Sequence, residues 1–374
     1  MNIQMVDVKS QYQKIKEEVD RGIQEVLDTT AFINGPQVKK FQKEFEAYLD
    51  VKHVIPCANG TDALQIAMMA VGLKPGDEVI VPAFTYVATA EVIALLGLVP
   101  VMVDVDPDTF NINIEGINSA ITSKTKAIVP VHLYGQSAEM EAIMKIAEHH
   151  KLWVLEDNAQ AIGADYTFSD GRKVKTGTIG HIGCTSFYPS KNLGCYGDGG
   201  AIMTNDDALG TLLHKIANHG QVVRYYHDVV GCNSRLDSIQ AVVLSAKLPH
   251  LDAYRDARIK VADYYDTAFA NVDVLETPFR ASYTTHVFHQ YTLKVKDGRR
   301  DALKAYLDEQ KIPNMIYYPV PLYKQEAFKA SSNGLELLEN TESLCKEVIS
   351  LPIHTEMDED QLTFICERVK AFFK

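Results

Sequence analysis

The feature that most constrains this chain is an alternation that begins near residue 51. Short apolar runs at His53–Pro56, Glu78–Val81, Val99–Val105, Ala127–Val131 and Leu152–Leu155 are separated by longer segments. Three of those segments, Asp62–Val71, Thr85–Leu96 and a stretch near Ala138–His150, read as helices, and the first two stop at Gly72 and Gly97. Strands that are apolar throughout belong where both sheet faces are covered. Helices of roughly 10–15 residues between them supply the crossovers that parallel pairing needs. The expected fold is α/β, with a large, mainly parallel wound sheet. Ala201–Thr204, following Gly199 and Gly200, reads as a further strand.

Helical lead-in precedes the sheet. Ile15, Val19, Ile23 and Val26 recur at helical spacing within Gln11–Leu27, and Val38–Leu49 fits a second helix. A long helical stretch runs from Leu236 to Phe269, with Leu236, Ile239, Val242, Val243 and Ala246 on one face. Pro249 is expected to kink or break it, because proline lacks the N–H a helix interior needs. Beyond it, Gln290–Val295 alternates like a strand, while Asp301–Gln310 and Leu362–Phe373 read as helices. The expected division is a large domain over 1–254 and a smaller α+β domain over 255–374. A chain of 374 residues can bury enough core to fold without disulfides.

Charge and cysteine usage exclude several classes. The net charge is −12, and Lys and Arg are scattered without a basic block, so a nucleic-acid surface is not expected. An acidic chain that binds an anion must do so through local donors. The six cysteines lack C-x-x-C or zinc-finger spacing and read as free thiols of a reducing compartment. The N-terminal MNIQMVDVKSQYQ has no apolar signal core, and Val92–Val105 is shorter than the ~20 residues of a membrane helix. A cytoplasmic protein, away from membranes, is expected.

Four local constellations carry chemistry. In ANGTDALQIAM a strand runs into Asn59, Gly60, Thr61 and Asp62, then a helix begins. The free N–H groups of a first helical turn, with a glycine that permits close approach, make an anion site. An ordinary capped turn fits the same residues. In LWVLEDNAQAIGA an apolar strand ends at Glu156 and Asp157. Ligands of wound sheets sit at the carboxyl ends of strands, so Asp157 is a carboxylate aimed at a cleft, or else a solvated loop acid. In TSFYPSKNLGCYGDGGAIMTND, Lys191 stands between a short aromatic strand and a glycine-rich turn. A lysine that attacks a carbonyl needs a fixed position and a lowered pKa. A surface hairpin lysine is the plainer alternative. The glycines follow the lysine, which excludes a P-loop. In VPAFTYVATAEV, Phe84 and Tyr86 sit where a strand enters a helix and could stack on a flat ring or pack in the core.

Together the four specify one ligand. A phosphate site at Gly60 and Thr61, the Asp157 carboxylate, an aromatic plate and the Lys191 amine are what pyridoxal 5'-phosphate requires. The carboxylate favours a protonated ring nitrogen by charge attraction.

With these residues in hand, the chain resembles the DegT/StrS-type nucleotide-sugar aminotransferases, which are fold-type-I pyridoxal-phosphate enzymes. The resemblance runs from FINGPQVKKFQKEF through NGTDAL, VPAFTYVATAEV, VDVDPDTFNI, VHLYGQ, EDNAQAIGA, SFYPSKNLGCYGDGGAI and GCNSRLDSIQA to YYPVPLY. It implies that Lys191 is the Schiff-base lysine and Asp157 the pyridinium partner. It further implies that Gln160 touches the ring hydroxyl, Tyr86 stacks on the ring, and Gly60, Thr61 and Ser186 bind the phosphate. Asn233 resembles the asparagine that reaches the phosphate across a homodimer interface, so each active site would need two subunits. An amino acid, L-glutamate in the expected case, would give its nitrogen, and a nucleotide-linked ketosugar would accept it. Relatives carry His-Tyr where this chain has Tyr317 and Tyr318.

The run from His219 through Asp237 is most similar to family members acting on 3-keto sugars. The expected acceptor is UDP-2-acetamido-2-deoxy-3-oxo-glucuronate, a precursor of surface polysaccharide. Arg235 is a candidate for its carboxylate, since guanidinium matches carboxylate geometry, and a structural interface arginine is the alternative. Tyr225, His227, Tyr317 and Tyr318 are further substrate candidates. A dTDP-3-keto-6-deoxyhexose and a 4-keto sugar are the competing acceptors. Outside this class, Asp104 and Asp106 in VDVDPDTF could hold a divalent ion for a glycosyltransferase, though that leaves the setting of Lys191 unexplained. A dehydratase is disfavoured by the presence of Lys191, and a non-catalytic regulator by the lack of an appended DNA-binding module.

Overall fold

A computed structural model describes residues 3–329 and 337–374. Two helices, α1 (Val8–Thr29) and α2 (Pro36–Leu49), lead into the sheet. The Asp7 carboxylate starts α1 by accepting from the Ser10 N–H at 2.9 Å. Ile15, Val19 and Val26 form the buried stripe of α1. In chain order there follow β1 (His53–Cys57), α3 (Gly60–Ala70), β2 (Glu78–Pro82), α4 (Ala88–Leu95), β3 (Val99–Val103), α5 (Ile114–Ala120), β4 (Thr125–Ile128), α6 (Met140–His150) and β5 (Trp153–Asp157). A hairpin of β6 (Asp165–Thr167) and β7 (Lys173–Lys175) precedes β8 (Ile182–Ser186) and β9 (Gly200–Thr204).

Seven strands form one sheet in the order β1-β9-β8-β5-β4-β2-β3. The run from β3 to β8 is parallel, as the apolar strands required. The edge differs from expectation: β9 runs antiparallel to β8, and β1 antiparallel to β9. The reason lies between them. No helix separates β8 from β9; a glycine-rich loop turns the chain straight back, so the returning strand pairs in the opposite sense. Lys191 rides on that loop. Helices α3 and α4 bury Leu64, Ile66, Val92 and Ile93 against one face, over Val79, Val81 and Ile202. Phe41, Phe45, Phe187, Leu193 and Leu244 close the other face near the loop.

After α7 (Asp207–Ala217) the chain passes an exposed segment and enters α8 (Ser238–Lys247). A single 3-10 turn, Leu248–His250, separates α8 from α9 (Leu251–Phe269). Pro249 thus interrupts the long helical stretch as expected. The division expected after residue 254 falls inside α9. The C-terminal portion comprises β10 (Leu275–Glu276), β11 (Tyr291–Val295), α10 (Arg300–Glu309), α11 (Glu339–Glu347), β12 (Val348–Leu351) and α12 (Glu359–Phe372). Its three strands pair antiparallel and share a core of Tyr265, Phe269, Leu293, Leu303, Ile349 and Ile365 with α9, α10 and α12.

Candidate active site

Sheet register assembles the site. Asp157 pairs with Cys184 at the carboxyl end of β5, and Ser186 pairs with Gly200 just beyond. Gly200 also pairs with Cys57, so the end of β1 lies in the same row. Two glycines are required by close approach. A Cβ on Gly60 would stand 2.8 Å from the Ser186 Cβ, and one on Gly200 would stand 2.5 Å from the Asn59 carbonyl. The Asn59 side chain accepts from the Asp62 N–H at 2.8 Å and starts α3. The N–H groups of Gly60 and Thr61, in the first helical turn, have no intrahelical acceptor. Gly60 stands against Ser186, so these free N–H groups and a hydroxyl-bearing residue share one end of the sheet, a donor set that suits an anion.

Lys191 is half-buried on the loop between β8 and β9. Its N–H donates to the Tyr188 carbonyl at 2.8 Å, and the Cys195 N–H donates to the Phe187 carbonyl at 2.8 Å, closing a compact turn. Desolvation lowers its amine to about 8, while the nearby Asp157 charge pulls the other way. A substantial neutral fraction near neutral pH is what a nucleophilic lysine needs.

Asp157 is buried, 7% exposed. Thr89 Oγ1 donates to its Oδ2 at 2.8 Å, and the Ala159 N–H donates to Oδ1 at 3.2 Å. Glu156, next in the strand, is spent structurally. It accepts from His132 Nε2 at 2.8 Å and from the N–H groups of Gly177, Ile179 and Gly180. Gln160 is held from two sides. The Tyr134 N–H donates to its Oε1 at 2.8 Å, and its Nε2 donates to the Tyr318 hydroxyl at 3.1 Å. That orientation leaves Gln160 one further N–H to give. Burial pushes the Tyr318 phenol well up. The Tyr318 ring lies 6.3 Å from that of Tyr86, which is 57% exposed at the mouth, and 5.9 Å from buried Phe84. Tyr317 is half-buried beside them, and its carbonyl accepts from the Tyr134 hydroxyl.

The other expected residues lie elsewhere. Ser234 joins the α3 start directly: its hydroxyl donates to Asp62 at 2.6 Å and accepts from the Ala58 N–H at 3.0 Å. Its neighbour Asn233 is exposed. Arg235 lines a separate cavity with Asn34, Lys39, Gln42, His214 and Asn218. Tyr225 is 75% exposed, and His227 is exposed with its Nδ1 2.8 Å from the His219 carbonyl. Within one chain, the structure brings together Gly60, Thr61, Tyr86, Asp157, Gln160, Ser186, Lys191 and Tyr318. It does not bring Tyr225, His227 or Arg235 to them.

The glycosyltransferase reading fails on its own carboxylates. Asp104 Oδ1 accepts from Thr341 N–H at 2.8 Å and from its hydroxyl, and Oδ2 from the Asn340 N–H, so it tethers α11. Asp106 Oδ1 accepts from the N–H groups of Asp108 and Thr109, a turn. Thr89 is the functional candidate missed in the sequence. It lies in the first turn of α4, and its partner Asp157 is 68 residues away, so the sequence carried no local signal for it.

The whole chain has close counterparts among known proteins. Residues 13–370 match the DegT/DnrJ/EryC1/StrS aminotransferase family. A pleiotropic regulatory protein of Geobacillus stearothermophilus is 46% identical, over 100% of this chain and 99% of its own length. The UDP-2-acetamido-2-deoxy-3-oxo-D-glucuronate aminotransferase of Pseudomonas aeruginosa is 44% identical over 97% of this chain and 98% of its own. A crystal structure of a DegT DnrJ EryC1 StrS aminotransferase from Brucella abortus superposes with a TM-score of 0.94 at 41% identity, covering 100% of both chains. The chain belongs to the DegT/DnrJ/EryC1/StrS aminotransferase family. It is a sugar aminotransferase of the fold-type-I class, acting on nucleotide-linked ketosugars with pyridoxal phosphate. The residues present fit that cofactor: a glycine-floored anion cradle, a buried carboxylate and a half-buried amine of lowered pKa converge on one cleft. Among the described residues, no helix is long and apolar enough to cross a membrane.

Proposed function

We propose that this enzyme transfers the amino group of L-glutamate to UDP-2-acetamido-2-deoxy-3-oxo-glucuronate, for surface polysaccharide, in the cytoplasm. The observation that carries the chemistry is the convergence of Lys191 and Asp157 on one cleft, the amine lowered to about 8 and the carboxylate buried. The relative named for that ketosugar, at 44% identity over nearly the full length of both chains, supports the acceptor.

When bound, pyridoxal phosphate supplies an aldehyde for imine exchange and a ring that accepts the electron pair of the adjacent carbon. The chain's own groups do the rest. Gly60 and Thr61 N–H groups and the Ser186 hydroxyl hold the phosphate. Asp157, fixed by Thr89, keeps the ring nitrogen protonated by its charge. Gln160 would give its remaining N–H to the ring oxygen, and Tyr86 would cover the ring face. Lys191 would hold the aldehyde, and its amine, once free, would carry the proton between the two carbons. Tyr317 and Tyr318 stand at the sugar side of the cleft.

The site is completed by a second copy in a homodimer. The segment carrying Tyr225, His227 and Asn233 exposes Val222, Val223, Tyr226 and Val230 at 70%, 63%, 70% and 84%. Apolar exposure of that density marks a surface that another chain covers. Asn233 then reaches the partner's phosphate, and Tyr225, His227 and Arg235 serve the partner's sugar.

The test loads the protein with pyridoxamine phosphate and mixes it with a panel of ketosugars. Reversion of the cofactor spectrum with the UDP-linked 3-oxo-uronate, and slower reversion with dTDP-3-keto-6-deoxyhexose or 4-keto sugars, is expected. Faster reversion with either competitor reassigns the acceptor.

A further inference from the structure

A second lysine stands behind the loop that carries the first. Lys247, the last residue of α8, is 1% exposed. Its Nζ donates to the Gly194 carbonyl at 2.7 Å and lies 4.6 Å from the centre of the Tyr196 ring. Among the described residues no carboxylate pairs with it. Burying an ammonium on one carbonyl and one ring face is costly, and an apolar residue of similar volume would pack there more cheaply. Desolvation accordingly lowers Lys247 to about 8.

What the amine holds explains its place. Gly194 closes the turn that begins at Tyr188, and a Cβ there would stand 2.5 Å from the Pro189 oxygen and 2.8 Å from the Tyr188 oxygen. Lys191 lies inside this turn, tied to the Tyr188 carbonyl by its own N–H at 2.8 Å. Gln240, two turns earlier on α8, accepts from the Tyr196 N–H at 2.8 Å. The outer side of the loop is therefore gripped twice by α8, and its inner side presents Lys191 to the cleft.

We propose that Lys247 is a positioning residue for Lys191: its amine, bonded to the Gly194 carbonyl, clamps the loop so that the Lys191 amine is held desolvated against the cleft. The proposal rests on the reading of Lys191 as the reacting amine. Misplacing a reacting group by about 1 Å can cost on the order of 100-fold in rate, so a loosened loop has a large readout. The titratable groups facing Lys191 are Asp157 and His289; those facing Lys247 are Cys195 and Tyr196.

The test has two arms on Lys247→Met. In cofactor-free full-length protein, acetic anhydride labelling of Lys191 is followed against pH by peptide mass mapping. The midpoint is expected to rise from about 8 toward the ordinary lysine value of about 10.4, with thermal stability unchanged or raised. In the loaded enzyme, kcat falls about tenfold or more while KM for the sugar stays within about twofold. Lys247→Arg, which keeps a donor, recovers part of both. A Lys191 midpoint and kcat unchanged in folded Lys247→Met overturn the proposal. If that variant does not fold, Lys247→Gln takes its place with the same two outcomes. Wild-type protein inactive on every ketosugar would overturn the functional reading instead, and the labelling arm would still decide the role of Lys247.

Discussion

The floor of the cleft and the segment from His219 to Arg235 are built in opposite ways. On the floor, Asp157 and Gln160 are each 7% exposed, and each is fixed by two hydrogen bonds from different elements. On the segment, Tyr225 and Tyr226 are 75% and 70% exposed. Its described bonds around the substrate candidates are local, such as Tyr225 N–H to Gln221 at 2.8 Å. The floor needs nothing from outside to hold its geometry, which is what electrostatic preorganisation requires. The segment instead leaves Val222, Val223, Tyr226 and Val230 at the surface, the apolar patch on which the proposed homodimer rests. The difference teaches that the cleft floor is fixed within one chain, whereas on the proposed homodimer the Asn233 contact to the phosphate and the sugar contacts come from a second.

That contrast can be broken in graded steps. Lys191→Ala, at the centre of the floor, is expected to lower turnover by on the order of a thousandfold or more, since both half-reactions use the amine. Steady-state assay with glutamate and the preferred ketosugar measures it; residual turnover near wild type would end the assignment. Asp157→Asn is expected to cost about 100-fold in kcat with sugar binding nearly unchanged, because the charge acts on the ring and not on the sugar. Titration of the sugar onto the cofactor-loaded variant checks the second half. On the segment, Tyr226→Asp with Val230→Asp is expected to yield monomers by analytical ultracentrifugation and to cut activity by about tenfold or more, while each chain keeps its melting temperature within a few degrees. Monomers with full activity would show that one chain suffices.

The smallest effect is a pH dependence. In cofactor-free protein, Lys191 is lowered to about 8, below the ordinary lysine value of about 10.4. Between those values the unfolded chain binds more protons than the folded one, so stability rises as pH rises through that window. Lys191→Met is expected to flatten part of that rise, read as denaturant midpoints at both ends of the window. An identical rise in the variant would mean that the amine is not desolvated by the fold.

Much of this was legible in the sequence for definite reasons. The parallel strands announced themselves because burial on both faces makes them apolar throughout. The break at Pro249 followed from a missing N–H. The placing of Lys191, Asp157 and Gly60 at one end of the sheet was legible because each lies at or just past a strand end with a recognisable turn. The antiparallel edge was not legible: β1 and β9 are as apolar as their parallel neighbours, and only the missing crossover before β9 distinguishes them. The short strand before Lys191 was read, and β8 ends just ahead of it at Ser186; β12, no shorter than β4, was not read. Thr89 and Lys247 act through partners distant in sequence, Asp157 and Gly194, so no local pattern marks them. Asp104 and Asp106 misled for the opposite reason, since a strand-end carboxylate that tethers a remote helix looks like one that binds a metal.

The most direct measurement reduces the loaded native protein with borohydride, digests it and maps the cofactor-labelled peptide. The account expects one label, on Lys191, in the peptide running from Thr185 into the glycine turn, and none in Lys191→Ala. A label on another lysine, Lys247 included, or native protein that takes no label at all, would contradict it.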